Sequence, residues 1–198
     1  KLLLILLCVP LMFSCGENEE LGKDNNSENR VLLDELTNKG TKESELMYYE
    51  SGLFNGIGFD VYEDGELKSE KNYIDGKRNG LCKYWLEDGQ LYLERNYKDG
   101  KHVGVKEYYK NGQLHFEGNY KDGQRDGFFK RYYENGQLQW EGNYKNDEKD
   151  GLCKSWWLNG QLRSEGNYKN GEKDGLSKLW FHNGKEITDL DLRKQSPY

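Results

Sequence analysis

From Tyr48 onward the chain is written in short runs that alternate apolar and polar residues, each broken by a glycine pair or by Asn-Gly or Asp-Gly. The run Leu138-Gln139-Trp140-Glu141-Gly142-Asn143-Tyr144 puts Leu, Trp, Gly and Tyr on one face and Gln, Glu and Asn on the other. That period of two predicts a half-buried β-strand. Turn glycines recur at Gly65, Gly89, Gly112, Gly136, Gly160 and Gly184, with spacings of 24, 23, 24, 24 and 24. Two neighbouring units, GFFKRYYENGQLQWEGNYKNDEKD and GLCKSWWLNGQLRSEGNYKNGEKD, share most of their pattern, and YYESGLFNG at Tyr48 to Gly56 is a partial copy. A fixed period of this length signals a repeat architecture.

Each unit predicts one β-hairpin, because Asn-Gly and Asp-Gly supply the positive φ angles of a tight turn between alternating runs. Leu67, Leu91, Leu114, Leu138 and Leu162 then form one column beside Tyr73, Tyr97, Tyr120, Tyr144 and Tyr168, on a common face. A second turn, KDGQRDG at Lys121 to Gly127, is expected to be a longer loop with left-handed residues. Folding symmetrically about Asn135-Gly136 sets Lys130 opposite Glu141, Arg131 opposite Trp140 and Tyr133 opposite Leu138. The same rule pairs Lys83 with Glu94, Lys106 with Glu117 and Lys154 with Glu165. Opposite charges in register are worth roughly 0.2–1 kcal/mol per pair. One unit is a residue short between Gly104 and Lys106, which predicts a local irregularity there.

The expected fold is all-β: an elongated single-sheet meander of about five and a half hairpins. About twelve strands at ~4.8 Å spacing make a rod of roughly 55 Å. A lone hairpin is marginal, so stability comes from neighbouring units. Ile187 to Leu192 is expected to close the open end. Val31-Leu32-Leu33 and Leu36 could add either a short strand or a helical turn at the other.

The first residues carry a different signal. Residues 2–13 (LLLILLCVPLMF) form an apolar run behind Lys1, too short to span a bilayer but suited to the core of an export signal. The run passes through Leu11 and Ser14-Cys15 into the acidic stretch Glu17 to Glu20, which resembles the lipobox of bacterial lipoproteins. That resemblance implies a lipid on Cys15 and an anchored protein of the cell envelope, in the outer membrane of a Gram-negative bacterium. An ordinary cleaved secretion signal is the other reading. The expected organisation is a signal at 1–14, a tether with a short capping element at 15–45, the array at 46–186, and a cap and tail at 187–198.

Composition narrows the chemistry. Hydrophobic residues make up 34% of the 198 and charged residues 32%, lean for a compact core, yet aromatic residues reach 14%, which sets the chain apart from disordered ones. The formal charge of −6, with no basic stripe, argues against nucleic acid. Cys82 and Cys153 hold the same position three units apart and are read as small packing residues. His102, in a loop, His115 and His182 have no second ligand at metal spacing and are read as surface residues. The Glu column (Glu70, Glu94, Glu117, Glu141, Glu165) repeats as the fold repeats, so it reads as structure rather than as paired catalytic acids. No enzyme, metal or cofactor is expected.

One column invites a binding role: Trp85, Tyr108, Tyr132, Trp156 and Trp180, on the face of the Lys and Glu residues. At ~9.6 Å intervals it is either cross-strand packing or a ladder of platforms for a sugar or an extended protein segment. The units GNYKDG, the GQL turn and the KDGQRDG loop resemble the bacterial variant of the membrane occupation and recognition nexus (MORN) repeat, over about residues 46 to 186. The resemblance implies the fold, and the antitoxin label common in that family implies a protein partner. The leading expectation is therefore a non-enzymatic, lipid-anchored scaffold that binds a protein or envelope polymer. An antitoxin-like immunity protein is the alternative, and a hydrolase a remote one.

Overall fold

The computed structural model describes residues 29–41 and 45–188. The expected signal and lipidation site at Cys15 and most of the expected C-terminal cap lie outside the described residues. Among the described residues seventeen strands follow one another: β1 (Arg30–Leu32), β2 (Thr37–Asn38), β3 (Met47–Tyr49), β4 (Gly52–Leu53), β5 (Gly56–Val61), β6 (Leu67–Ile74), β7 (Lys77–Arg78), β8 (Gly80–Trp85) and β9 (Leu91–Lys98). Then come β10 (Lys101–Tyr108), β11 (Leu114–Lys121), β12 (Gln124–Tyr132), β13 (Leu138–Lys145), β14 (Glu148–Lys149), β15 (Gly151–Trp156), β16 (Leu162–Lys169) and β17 (Glu172–Leu179). From β5 onward they form one antiparallel meander, joined at its first edge by the parallel strand β1, in a fourteen-stranded sheet.

The turns are of two kinds, and both differ in detail from the expectation. At the six periodic turns, from Gly65 to Gly184, only the glycine is left-handed, as at Gly136 (φ 81°). Its N–H donates to the Tyr133 carbonyl at 2.9 Å, while the Tyr133 N–H donates to the Gln137 carbonyl at 2.8 Å. This is a three-residue loop with a glycine bulge. The return turn is the tighter one. Asp122 and Gly123 sit at φ 50° and 84°, the two positive angles of a two-residue hairpin turn, and Lys121 pairs directly with Gln124. The second glycine of that motif, Gly127 (φ 103°), lies inside β12 and bends the strand.

Register follows the charge pairs. Lys130, Lys83, Lys106 and Lys154 stand opposite Glu141, Glu94, Glu117 and Glu165, and Arg131 stands opposite Trp140. Only nearer the turn does the expectation fail. The register shifts by one, so that Leu138 pairs with Tyr132 and not with Tyr133. Cross-strand partners share a face. The bulge therefore carries the leucine column to the side of Tyr132 and the glutamates, away from Trp140 and Tyr144.

The core is a thin row rather than a layer. Phe129 (1% exposed), Cys82 (0%), Val105 and Cys153 lie buried along the face of Trp140 and Tyr144, and all but Cys82 stand beside a strand glycine. Phe129 is flanked by Gly118 and Gly142, and an added Cβ on Gly118 would meet its ring at 2.2 Å. Both cysteines are free. A second cluster of Val31, Leu36, Met47, Phe54 and Tyr73 closes the first end of the array. The segment from Val31 thus forms a strand and then a 3-10 turn (Leu33–Glu35), both of the options the sequence left open. At the other end β17 is exposed along its whole length, and Ile187 reaches back only to hydrogen-bond the Leu179 carbonyl at 2.8 Å.

Candidate functional site

The Lys and Glu side chains stand in two adjoining columns on one face. Only Lys154 and Glu165, among these register pairs, close to an ion pair, at 3.2 Å. Two glutamates accept instead from the aromatic column: the Tyr108 hydroxyl donates to Glu94 and the Tyr132 hydroxyl to Glu117, each at 2.8 Å. Burial, and then these bonds to carboxylates, push both phenols up to about 12. These bonds hold the Glu94 and Glu117 carboxylates in place.

The short unit breaks the period on this face. Leu81, Phe128 and Leu152 occupy equivalent places opposite Asn96, Asn143 and Asn167, and all three are exposed apolar residues. In the short unit that place, opposite Asn119, is held by Gly104. The left-handed glycine that precedes the apolar residue elsewhere (Gly80, Gly127, Gly151) has no counterpart here, and the register shifts between His102 and Gly104. The irregularity expected from the missing residue is present. Its consequence is a gap in the apolar column: a recess of about 560 Å³ between Leu81 and Phe128, over Glu94, Lys106, Glu117, Lys130 and Glu141. The missing residue is legible in the repeat spacing but the cavity is not, because it depends on which column the deletion empties.

The five candidate platforms occupy equivalent positions. Trp85, Tyr108, Tyr132 and Trp156 each pair with the leucine after the turn, and Trp180 bridges to Glu186. Tyr108 and Tyr132 face the glutamates. Trp156 borders a second recess together with Trp140 and Arg131. The carbonyls of Trp85, Tyr132, Trp156 and Trp180 also take part, accepting from Tyr62, Tyr109, Tyr133 and the Trp157 indole N–H at 2.7–3.0 Å.

On the reverse face the tyrosine column holds partners that the sequence reading missed. Arg78 lies over Tyr97 at 5.1 Å, Arg125 over Tyr144 at 4.2 Å and Lys149 over Tyr168 at 4.8 Å. His102 takes the equivalent place between Tyr97 (5.5 Å) and Tyr120 (4.6 Å). It is therefore a stacked strand residue and not a loop residue at the surface, and burial lowers its pKa. The signal was present as a basic residue one place after each return-turn strand begins. Reading it required knowing that the turn has only two residues.

Five segments match the model of the MORN repeat variant, at residues 54–75, 78–99, 105–122, 125–146 and 149–170. No curated protein sequence matches the chain. Among solved structures it is similar to S. aureus TarM in complex with fondaparinux, α-GlcNAc-glycerol and UDP, at 8% identity and a TM-score of 0.33 over 60% of this chain. It is also similar to a GtfA/B complex bound to UDP and GlcNAc, at 12% identity and a TM-score of 0.25 over 77% of this chain. The chain spans only 21% and 28% of those two proteins. The five matched segments cover more than half of the sequence and coincide with the hairpins, and the chain belongs to the MORN repeat variant family.

Proposed function

We propose that this protein is a non-enzymatic binding scaffold, held in the cell envelope by a lipid on Cys15, that grips an extended segment of a partner protein along its Lys and Glu face. The observation that carries the reading is the gap at Gly104. A strictly periodic face offers many equal sites, whereas one empty place between Leu81 and Phe128 defines where a partner's apolar side chain sits. The surrounding alternation of Lys106, Glu117 and Lys130 matches the polar groups of an extended chain, and charge patterning of this kind fixes register more than it adds affinity.

A glutamate-based hydrolase is disfavoured on chemical grounds. General acid catalysis by a carboxyl needs one site set apart from the rest, whereas these glutamates recur in register, each opposite a lysine.

The experiment is capture of cross-linked partners from envelope fractions by the wild-type chain and by Gly104→Leu. The Gly104 backbone is not left-handed, and an added Cβ would meet only ordinary contacts at 3.7–3.8 Å, so leucine fits the fold and fills the recess. Loss of a partner from Gly104→Leu supports the reading. Retention of every partner by that variant overturns it. Mass spectrometry of the mature N-terminus tests the anchor: a diacylglyceryl Cys15 is expected, and an unmodified N-terminus elsewhere removes the lipid from the proposal.

A further inference from the structure

The reverse face carries a second recess, of about 420 Å³, which the binding role above does not use. Its walls are aromatic (Phe116, Trp140 and Tyr144), and its polar lining is cationic: Arg125, Arg131, Lys149 and Arg163. No carboxylate lines it. The volume falls within the roughly 300–1,000 Å³ of small-ligand sites.

The arrangement follows from the register. Arg131 pairs with Phe116 on one side and Trp140 on the other, and Trp140 pairs with Ser155 across the next strand. The Arg131 side chain therefore stands between those of Phe116 and Trp140 on one face, at the ~4.8 Å strand spacing. Arg125 is engaged by Asp147 at 3.1 Å, so its charge is already balanced. Lys149 and Arg163 lie over rings, at 5.7 Å from Trp140 and 4.6 Å from Trp157. The Arg131 guanidinium has no carboxylate within ion-pair distance among the described residues. Three cations thus stand around an aromatic floor in a chain whose formal charge is −6. The local charge is opposite in sign to the whole, which favours an anionic ligand here.

We propose that this recess binds an acidic sugar residue of a polysaccharide, the pyranose ring lying on Trp140 and its carboxylate meeting Arg131, with Arg163 and Lys149 adding long-range attraction. The choice of sugar rests on the interleaving of rings with cations. An inorganic anion would need donors converging on one point, not rings between them. A phosphate-rich surface has no apolar ring face to lie on Trp140. A pyranose carboxylate has an apolar ring face and an anionic edge within one strand spacing of each other, and its hydroxyls find donors and acceptors in Gln139 and Ser155. This site lies on the face opposite Glu94, Lys106 and Glu117, so it stands or falls independently of the partner site at Gly104.

Calorimetric titration of the full chain with an oligogalacturonate, its methyl ester, inorganic phosphate and phosphatidylglycerol vesicles tests the proposal. Saturable binding of the acid, weakened about tenfold or more in the uncharged ester, is expected. Arg131→Gln, at an exposed position that leaves the fold intact, should weaken the acid form by a similar factor and leave any residual ester binding unchanged. Trp140→Phe, which keeps a ring, should bind more tightly than Trp140→Leu. Equal binding of acid and ester, no binding of either, or binding of phosphate or vesicles in place of the sugar each overturns the assignment.

Discussion

The hydroxyl of Tyr133 donates a hydrogen bond of 2.8 Å to the main-chain carbonyl of Trp156, the residue 23 positions further on. Tyr62 to Trp85 and Tyr109 to Tyr132 repeat the bond, and the indole N–H of Trp157 makes it to Trp180 at 3.0 Å. Asn111, Asn135 and Asn159 add side-chain donors to the carbonyls of Glu134, Leu158 and His182. Consecutive hairpins are therefore stapled at their turn ends, where the strand ladder has already stopped. Tyr133→Phe removes one staple and should cost about 0.5–1.5 kcal/mol. In a quasi-one-dimensional array the loss is local. Hydrogen exchange should rise in the hairpins on either side of Tyr133 and stay unchanged around Tyr62. Leu86, which occupies the equivalent place without a donor, offers the reverse test: Leu86→Tyr should slow exchange near Tyr108.

Glycines inside the strands separate two kinds of packing. A Cβ on Gly118 would lie 2.2 Å from the Phe129 ring, which is itself 1% exposed and cannot withdraw. A Cβ on Gly166 would make its nearest contact with the Ser177 Cβ, at 3.2 Å, on an exposed edge strand. Gly118→Ala should therefore destabilise by roughly 1–3 kcal/mol, the usual cost of overpacking. Gly166→Ala should cost less than about 1 kcal/mol. Urea melts of the two variants decide this; equal losses would mean that Phe129 rearranges freely.

These two cases also mark how far the sequence can be read. The turn positions and the Lys–Glu register were legible because charge coincidence at one spacing is independent of hydrophobic alternation. Leu138 was placed on the wrong face because a bulge inserts one residue, and any slip of one reverses every side chain beyond it. The Tyr–cation ladder of Tyr97, His102 and Tyr120 stayed hidden behind the return turn, whose second glycine suggested a longer loop. Met47, Phe54 and Tyr73, which close the first end, come from parts of the chain with no shared period, so no alignment of repeats could bring them together.

Alkaline pH should loosen the array. Burial first, and then hydrogen bonds to Glu94 and Glu117, raise Tyr108 and Tyr132 to about 12, and burial raises Tyr84 to about 12 as well. An unfolded tyrosine ionises near 10. A folded pKa above the unfolded one means that the unfolded chain releases protons first. The stabilisation is complete below about pH 10 and is lost as pH rises from about 10 to about 12. The melting temperature should fall across that window, and Tyr132→Phe should reduce the slope. A flat profile up to pH 12 would contradict the bonds to the two glutamates.

Acid should act through His102, the one member of the ladder that is not an arginine or lysine. Its ring is stacked between Tyr97 and Tyr120, and its Nε2 is buried without a hydrogen-bond partner. Burial, with Arg95 adding to it, lowers its pKa from the ordinary imidazole value. The folded state therefore resists the proton that the unfolded chain accepts below about pH 6.5. The contribution is complete above that pH and is lost as pH falls through the depressed folded value. His102→Phe keeps a ring in the stack and removes the titration. It should leave stability at pH 8 within about 1 kcal/mol of wild type and make the variant the more stable of the two at pH 5. Denaturant midpoints at the two pH values measure the difference, and parallel curves for the two proteins would show that the imidazole escapes to solvent when protonated.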